Sequence, residues 1–315
     1  VYKSQEGDRL MPTFWHIYIA AGTLITIVFC GWLIAWSAKQ GPQNKGDEDL
    51  VGHVWDGDLE EWNNPLPRWW LYLFFITIFW SLGYLVAFPG LGGFQGLLGW
   101  SSSGQYEAER QAARERYEPI YAQYAAMDWD ELVGHPEALE LGASLYASYC
   151  TTCHGSDARG ATGFPNLTDA SWIWGGSEQA VTASILNGRV AVMPVLTPAL
   201  GGDDGVTNMV NYVRSLSGLV EADAAAQAMQ PMFTALCSAC HMADGTGNPA
   251  VGAPNLTDDI WLYGSSEEAV EYTIRNGRNG VMPAQKDLLG EDRARILAAY
   301  VKSLSANAAG TAGAP

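Results

Sequence analysis

The sequence has few cysteines and few basic residues for its length. Its 315 residues include 5 cysteines, and 17 Lys and Arg stand against 34 Asp and Glu, which gives a formal net charge of −17 at pH 7. This acidic balance excludes the basic surface on which nucleic-acid binding depends. Charge is also absent locally, because no Asp, Glu, Lys or Arg occurs between Arg9 and Lys39 or from Trp69 to Phe88.

The two uncharged segments predict membrane spans. The runs from Phe14 to Trp36 and from Trp69 to Phe88 contain 23 and 20 residues, and about 20 apolar residues cross a bilayer as a helix. The first run is too long for a signal peptide and lacks a small-residue cleavage site before Lys39, which favours an anchored helix. We predict an N-terminal tail over 1–12, transmembrane helices over 13–37 and 68–88, and a link over 38–67.

Four of the five cysteines form two C-x-x-C-H boxes. They are Cys150, Cys153 and His154 in one box, and Cys237, Cys240 and His241 in the other. A thioredoxin-like redox pair or half a zinc site also contains C-x-x-C, but neither requires the trailing histidine. In c-type cytochromes the two thiols attach the haem and the histidine ligates its iron. The boxes therefore predict two covalently bound haems c, and leave Cys30 without a partner for an internal disulfide.

The boxes open an internal repeat of the sequence. The segments that recur are Pro165 to Asp169 as Pro254 to Asp258, Asn187 to Arg189 as Asn276 to Arg278, and Tyr212 to Leu216 as Tyr300 to Leu304. Apolar residues at helical spacing precede the first box and follow the Met-Pro segments. We predict a mainly α protein in which a periplasmic connecting arm over 89–137 leads to tandem cytochrome c domains over 138–219 and 220–305. A disordered tail is predicted over 306–315.

A repeated methionine supplies a candidate sixth ligand for each iron. Met193 and Met282 both stand in an Asn-Gly-Arg-x-x-x-Met-Pro setting, and they follow His154 and His241 by 39 and 41 residues. The spacing predicts axial pairs of His154 with Met193 and of His241 with Met282. It leaves open a crossed arrangement, in which the methionine of one repeat ligates the iron of the other. Filling both axial positions favours electron transfer over catalysis at the haem.

Further repeated residues are candidates for supporting the haems. The carbonyls of Pro165 and Pro254 are candidate acceptors for the ring N–H of each histidine. Arg189 and Arg278 are candidates for pairing with haem propionates or for remaining solvated. The residues predicted to pack on the haems are Trp172 and Trp261.

The chain resembles a known family. The features that carry the resemblance are the two spans, the link from Asp56 to Trp70 with its Asn-Pro-Leu-Pro-Arg-Trp-Trp stretch, the Phe88 to Gly92 exit and the two boxes. It is similar to the two-haem subunit of cbb3-type cytochrome c oxidases, subunit III or the CcoP/FixP family. The resemblance covers residues from about Met11 to about Leu304.

The resemblance implies a non-catalytic electron-entry subunit of a bacterial terminal oxidase. Its implied donor is a cytochrome c or a bc1-type complex. Its implied acceptor is the single-haem subunit, and oxygen reduction with proton translocation occurs in the large haem–copper subunit. Because c-type haem is assembled outside the cytoplasmic membrane of bacteria, both repeats are expected in the periplasm and the chain in the inner membrane. The rival functions are a two-haem shuttle outside any oxidase and a two-haem peroxidase, which needs one open iron.

Overall fold

The computed structural model describes residues 13–39, 50–62 and 67–311. The tail predicted over 1–12, much of the predicted link and residues 312–315 lie outside the described residues. Within them the chain is mainly α, which confirms the predicted fold class. The helices and strands are α1 Thr13–Lys39, β1 Leu50–Trp55, β2 Leu59–Trp62, α2 Arg68–Ala87, α3 Ser102–Ala125, α4 Trp129–Gly134, α5 Pro136–Tyr149, α6 Thr151–His154, α7 Glu178–Asn187, β3 Arg189–Met193, α8 Asp203–Leu216, α9 Ala224–Gln227, α10 Gln230–Leu236, α11 Ser238–His241, α12 Glu267–Asn276, β4 Arg278–Met282 and α13 Lys286–Thr311.

Residues 1–115 form one compact unit, and 116–315 form the other. In the first, α1 and α2 pack together and are both long and apolar enough to cross a membrane. After α2 the chain folds back, because the amide of Leu97 donates to the carbonyl of Val86 at 2.9 Å. The link contains an unpredicted hairpin in which β1 pairs with β2 around Asp56 and Gly57. Both turn residues have positive φ, a conformation that Gly, Asp and Asn tolerate best.

The second unit contains two hydrophobic cores, which we call the first and the second packing unit. Each of them combines residues from both sequence repeats. The first packing unit joins Leu145, Tyr146, Ala158, Val181 and Ile185 of the first repeat to Leu289, Ala294, Leu297, Ala298 and Val301 of the second. The second packing unit joins Leu200, Val206, Met209, Val210 and Val213 of the first repeat to Phe233, Val270 and Ile274 of the second. Helix α13 therefore packs on α5 and α7, and α8 packs on α12.

The exchange takes place along a two-stranded ribbon made of β3 and β4. The strands are antiparallel, with Arg189 opposite Met282 and Met193 opposite Arg278. Beyond the ribbon the exchanged segments are held by matching backbone bonds. The amide of Gln285 donates to the carbonyl of Ile185 at 3.0 Å, and that of Leu196 to Ile274 at 3.3 Å. The boundaries predicted over 138–219 and 220–305 describe repeats of sequence, whereas each hydrophobic core draws on both repeats.

The connecting arm ends against the first packing unit. Tyr121 and Tyr124 of α3 pack on a small core of Leu132, Ala138, Ile296 and Ala299. Arg295 joins the same place, donating to the carbonyls of Ala125 and Met127 at 2.6 and 2.8 Å and to the Glu178 carboxylate at 2.6 Å. At the other end of the chain, α13 continues to Thr311. The disordered tail predicted from 306 is thus helical over its first residues, a correction to the sequence prediction.

Two glycines allow the ribbon to form. Gly188 and Gly277 precede β3 and β4, both with φ of 69°. A Cβ on Gly277 would overlap the carbonyl oxygen of Met193, and one on Gly188 that of Met282. The strands thus approach too closely for any side chain at these two positions.

We expect Gly277→Ala to destabilise the second unit more than Gly218→Ala does. Gly218 also has a positive φ, 75°, but a Cβ at this position would meet no described atom within 4 Å. Gly218→Ala therefore measures the cost of placing Ala at a positive φ without a steric overlap. Forcing a methyl group against the Met193 carbonyl should add about 1–3 kcal/mol to the loss. Thermal unfolding of the full-length variants in detergent measures the difference. Equal unfolding midpoints for the two variants would contradict the close approach.

Candidate haem sites

Each C-x-x-C-H box lies on a short helix that continues from a longer one. In the first repeat α5 leads through Cys150 into α6, and the amide of His154 donates to the carbonyl of Cys150 at 2.9 Å. In the second repeat α10 leads through Cys237 into α11 in the same way. Residues three apart on a helix lie on one face, so each pair of thiols is directed to one side. The second attachment helix is short, because α10 starts only at Gln230, with Pro231 in its first turn.

The histidine rings are oriented by backbone carbonyls. Nδ1 of His154 lies 3.0 Å from the carbonyl oxygen of Pro165, and Nδ1 of His241 lies 3.0 Å from that of Pro254. A carbonyl only accepts, so Nδ1 must carry the proton and Nε2 keeps its lone pair for a metal. The partners predicted for the histidines are therefore in place. Burial also lowers the pKa of His241, which keeps the ring neutral as an iron ligand requires.

The first cysteine of each box is partly buried, which affects the pKa of its thiol. Burial, with a smaller contribution from the neighbouring Cys153 or Cys240, raises the pKa of Cys150 and Cys237 to about 11. Catalytic and redox-active cysteines instead have a lowered pKa, because the thiolate is the reactive form. All four thiols of the boxes are free of disulfides. These properties disfavour the thioredoxin-like alternative.

The surroundings of the second box fit a haem. Cys237, Met193 and Trp261 pack against the second packing unit. Nε1 of Trp261 is buried and has no hydrogen-bond partner among the described residues. A buried unpaired donor costs about 1–3 kcal/mol unless an acceptor reaches it. A haem propionate would supply that acceptor within an otherwise apolar setting.

Each methionine packs against the core that also contacts the first cysteine of the opposite repeat. Met282 packs against the first packing unit together with Cys150 and Trp172. Met193 packs against the second packing unit together with Cys237 and Trp261. Each strand of the ribbon leads from the core of its own repeat to the other core. Met193 and the box of its own repeat therefore contribute to different cores. The packing thus groups the candidates around two cores, and this grouping favours the crossed arrangement that the sequence left open.

The two arginines have partners within the protein. Arg189 donates from Nε to the Ser184 hydroxyl at 2.8 Å and from its terminal nitrogen to the Ala180 carbonyl at 3.0 Å. Arg278 donates from Nε to the Thr273 hydroxyl at 3.0 Å. Each guanidinium also lies over aromatic rings, those of Trp174 and of Tyr263 and Tyr272 respectively. Neither arginine is the freely solvated residue that was one alternative from the sequence.

Sequence reasoning missed Trp174 and Tyr263. They stand at equivalent places in the two repeats, separated by the same offset that relates the other repeated segments. The change from Trp to Tyr concealed the equivalence, although the common offset was a signal for it. Their importance depends on contacts between repeats, which the pattern of either repeat does not contain.

Comparison with known proteins identifies both parts of the chain. The profile of the N-terminal domain of cytochrome oxidase-cbb3, FixP, matches residues 47–95. The profile of cytochrome c oxidase, cbb3-type, subunit III, matches residues 137–213 and 224–301, which are the two repeats. The profile matches therefore cover most of the link, the second apolar helix and both candidate haem sites.

Curated relatives are similar over most of their length. The cbb3-type cytochrome c oxidase subunit CcoP of Rubrivivax gelatinosus is 43% identical over 291 residues, which cover 92% of this chain and 95% of the relative. Subunit FixP of Rhizobium meliloti strain 1021 is 38% identical, with 81% and 94% covered. Subunit CcoP of Cereibacter sphaeroides is 36% identical, with 85% and 98% covered. This chain belongs to the CcoP/FixP family of cbb3-type cytochrome c oxidase subunits.

Proposed function

We propose that the protein is the two-haem electron-transfer subunit of a bacterial cbb3-type oxidase. It accepts electrons from a cytochrome c or a bc1-type donor and passes them to the single-haem subunit. The large haem–copper subunit then reduces oxygen and translocates protons, so this chain is not itself catalytic. The observation that carries the proposal is the repeated site, in which the first cysteine of a C-x-x-C-H box and a methionine pack against one apolar core. The histidine of the same box is held by a proline carbonyl.

The two sites support electron transfer because each would offer a histidine and a methionine as ligands to a haem iron. Bound haem supplies reversible one-electron exchange at its iron. The Pro165 and Pro254 carbonyls hold the imidazole rings in the orientation and tautomer that ligation needs. A methionine on the other side raises the reduction potential and blocks small ligands. Closed irons of this kind disfavour the peroxidase alternative, which needs one open coordination position.

The ligand pairs that the packing favours are crossed. We assign His154 and Met282 to the first haem, attached at Cys150 and Cys153. We assign His241 and Met193 to the second haem, attached at Cys237 and Cys240. This assignment revises the pairing that sequence spacing suggested, and its support is the association of Met282 with the core beside Cys150 and of Met193 with the core beside Cys237.

The chain is anchored in the inner membrane by α1 and α2, with both haem sites in the periplasm. Covalent haem attachment outside the cytoplasmic membrane supports this orientation. Two spans then put the link on the cytoplasmic side, where Lys39 and Arg68 agree with the positive-inside rule. From Ala138 onward, 17 acidic residues stand against 9 basic ones. This acidity suits rapid, transient docking of a basic redox partner.

Mass spectrometry of the intact chain tests the number of cofactors. We expect two covalent haem additions on the native protein. Replacing Cys150 and Cys153 by Ala should remove one addition, and the same change at Cys237 and Cys240 should remove the other. Replacing Cys30 by Ala is the control and should leave both. A native chain that carries one haem or none would contradict the proposal.

Single-haem variants test the crossed ligands. In a chain with Cys237 and Cys240 replaced by Ala, only the first haem remains. There we expect Met282→Ala to convert the low-spin His/Met spectrum to a form that binds carbon monoxide, whereas Met193→Ala should leave the spectrum unchanged. The reverse is expected in the chain that keeps only the second haem. Loss of ligation by the methionine of the same repeat would instead restore the uncrossed pairing.

Isolation of the native complex tests membership of an oxidase. We expect the affinity-tagged chain to copurify, in mild detergent, with a single-haem cytochrome c and a haem–copper subunit. The preparation should consume oxygen with reduced cytochrome c, and a parallel preparation that lacks this chain should be much slower. Purification without a haem–copper subunit would favour the alternative of a membrane-anchored two-haem shuttle.

A further inference from the structure

The ribbon places an arginine of one repeat beside the methionine of the other. In an antiparallel pair, residues directly opposite each other share one face, with their Cβ atoms roughly 4.5–5.5 Å apart. Arg189 is opposite Met282, and Arg278 is opposite Met193. Each strand therefore passes from the core of its own repeat to the other core between its arginine and its methionine. Each arginine stays with the box of its own repeat and meets the methionine that arrives from the other.

Arg189 is held so firmly that its charge has a defined position. Its side chain donates to the Ser184 hydroxyl and to the Ala180 carbonyl, both on α7. Its guanidinium carbon lies 4.7 Å from the centre of the Trp174 ring. These three partners are uncharged, so they orient the cation without neutralising it.

The ring beneath Arg189 reaches the other haem site. A Cβ on Gly252 would overlap the six-membered ring of Trp174, and Gly252 has a φ of 69°. The indole therefore rests directly on this backbone. Gly252 lies two residues before Pro254, whose carbonyl oxygen accepts the hydrogen bond from His241. We call the three contacting residues Arg189, Trp174 and Gly252 the first stack.

A second stack, made of Arg278, Tyr263 and Gly163, runs in the opposite sense. The guanidinium carbon of Arg278 lies 4.0 Å from the centre of the Tyr263 ring. A Cβ on Gly163 would lie 3.3 Å from that ring, and the amide of Gly163 donates to the carbonyl of Leu262 at 2.9 Å. Gly163 lies two residues before Pro165, whose carbonyl oxygen is the partner of His154. Each stack thus joins the methionine side of one site to the histidine side of the other.

We propose that the two stacks couple the potentials of the two haems. Each arginine places a positive charge beside the methionine of one iron, and the ring beneath it positions the loop that holds the histidine of the other. The proposal rests on the proposed function, because it assumes two bound haems with His/Met ligands. It assigns Arg189 and Arg278 as positioning residues that set potentials, and Trp174 and Tyr263 as the links between the sites.

The expected directions follow from charge. A fixed cation stabilises the reduced iron, which has one positive charge fewer than the oxidised iron, so removing the cation lowers the reduction potential. The hydrogen bond from a histidine to a carbonyl makes the ring a stronger donor to iron. A stronger donor stabilises the oxidised form, so loosening the loop that carries the carbonyl raises the potential.

Redox titration of the full-length protein in detergent tests the arginine. We expect Arg189→Gln to make the first haem about tenfold harder to reduce, a fall of about 59 mV for a one-electron couple, and to leave the second haem unchanged. Arg189→Lys keeps the charge and should restore most of the potential. The two haems are assigned with the single-haem variants.

The same titration tests the link. We expect Trp174→Leu, which removes the ring from both Arg189 and Gly252, to lower the potential of the first haem and to raise that of the second. Trp174→Phe keeps an aromatic face and should shift both potentials less. A purely structural role of Trp174 would loosen the protein in general. General loosening would not shift the potentials of the two haems in opposite directions.

The outcomes separate the two proposals. If Arg189→Gln retains both His/Met spectra but changes neither potential, or if Arg189→Lys shows the full loss, the stacks do not set the potentials and the proposed function stands. If Trp174→Leu shifts only one haem, the link between the sites is overturned. Absence of His/Met spectra from the unmodified protein would instead overturn the proposed function.

Discussion

The antiparallel pairing of β3 with β4 is the constraint on which the haem-binding part of the molecule depends. Once Arg189 is opposite Met282, each strand has to leave the core of its own repeat, and the helix that follows joins the other core. Helices α8 and α13 are therefore exchanged, and neither repeat retains a complete core. A domain of about 80 residues has a thin core in any case. Because of the exchange, the two cores depend on each other and are not two independent cores.

This interdependence also defines the chemistry of the sites. A histidine and its carbonyl partner come from one repeat, while the methionine arrives from the other on a strand held by the ribbon. Attaching a haem at one box thus orders a strand whose opposite end belongs to the second site. Two separate cytochrome domains joined by a linker would bring their irons together by docking alone. Here the spacing of the two methionines is set by backbone register, four residues at about 3.4 Å each along the ribbon.

Local patterns predicted much of the protein, and contacts between repeats account for what they missed. The spacing of the thiols predicted where haem would be attached, and the uncharged runs predicted α1 and α2. Both predictions depend only on residues that are close in sequence. Spacing favoured the uncrossed pairs, because Met193 and Met282 follow His154 and His241 by 39 and 41 residues. The local sequence around the two methionines is the same, so it carries no signal for the crossing. The hairpin of β1 and β2 had a signal, Asp56-Gly57-Asp58 between the apolar residues Trp55 and Leu59, and a short loop that contains Asp-Gly is typical of a hairpin turn. The arginines were assigned to propionates or solvent because their hydroxyl and carbonyl partners depend on the folded chain.

The repeats are nearly symmetric, and the departures from symmetry are where the two proposed haem sites can differ. Trp174 takes the place that Tyr263 has in the other repeat, so the two stacks differ in ring size and in how closely they contact the opposing glycine. Arg295 fastens the arm to the first packing unit through the carbonyls of Ala125 and Met127, and the equivalent position of the first repeat is Thr207, which has no guanidinium. The arm is thus anchored by a contact that only one repeat is able to make. Because the proposed ligand types are the same at both irons, such unequal surroundings, rather than the ligands, would set any difference between the two proposed haems.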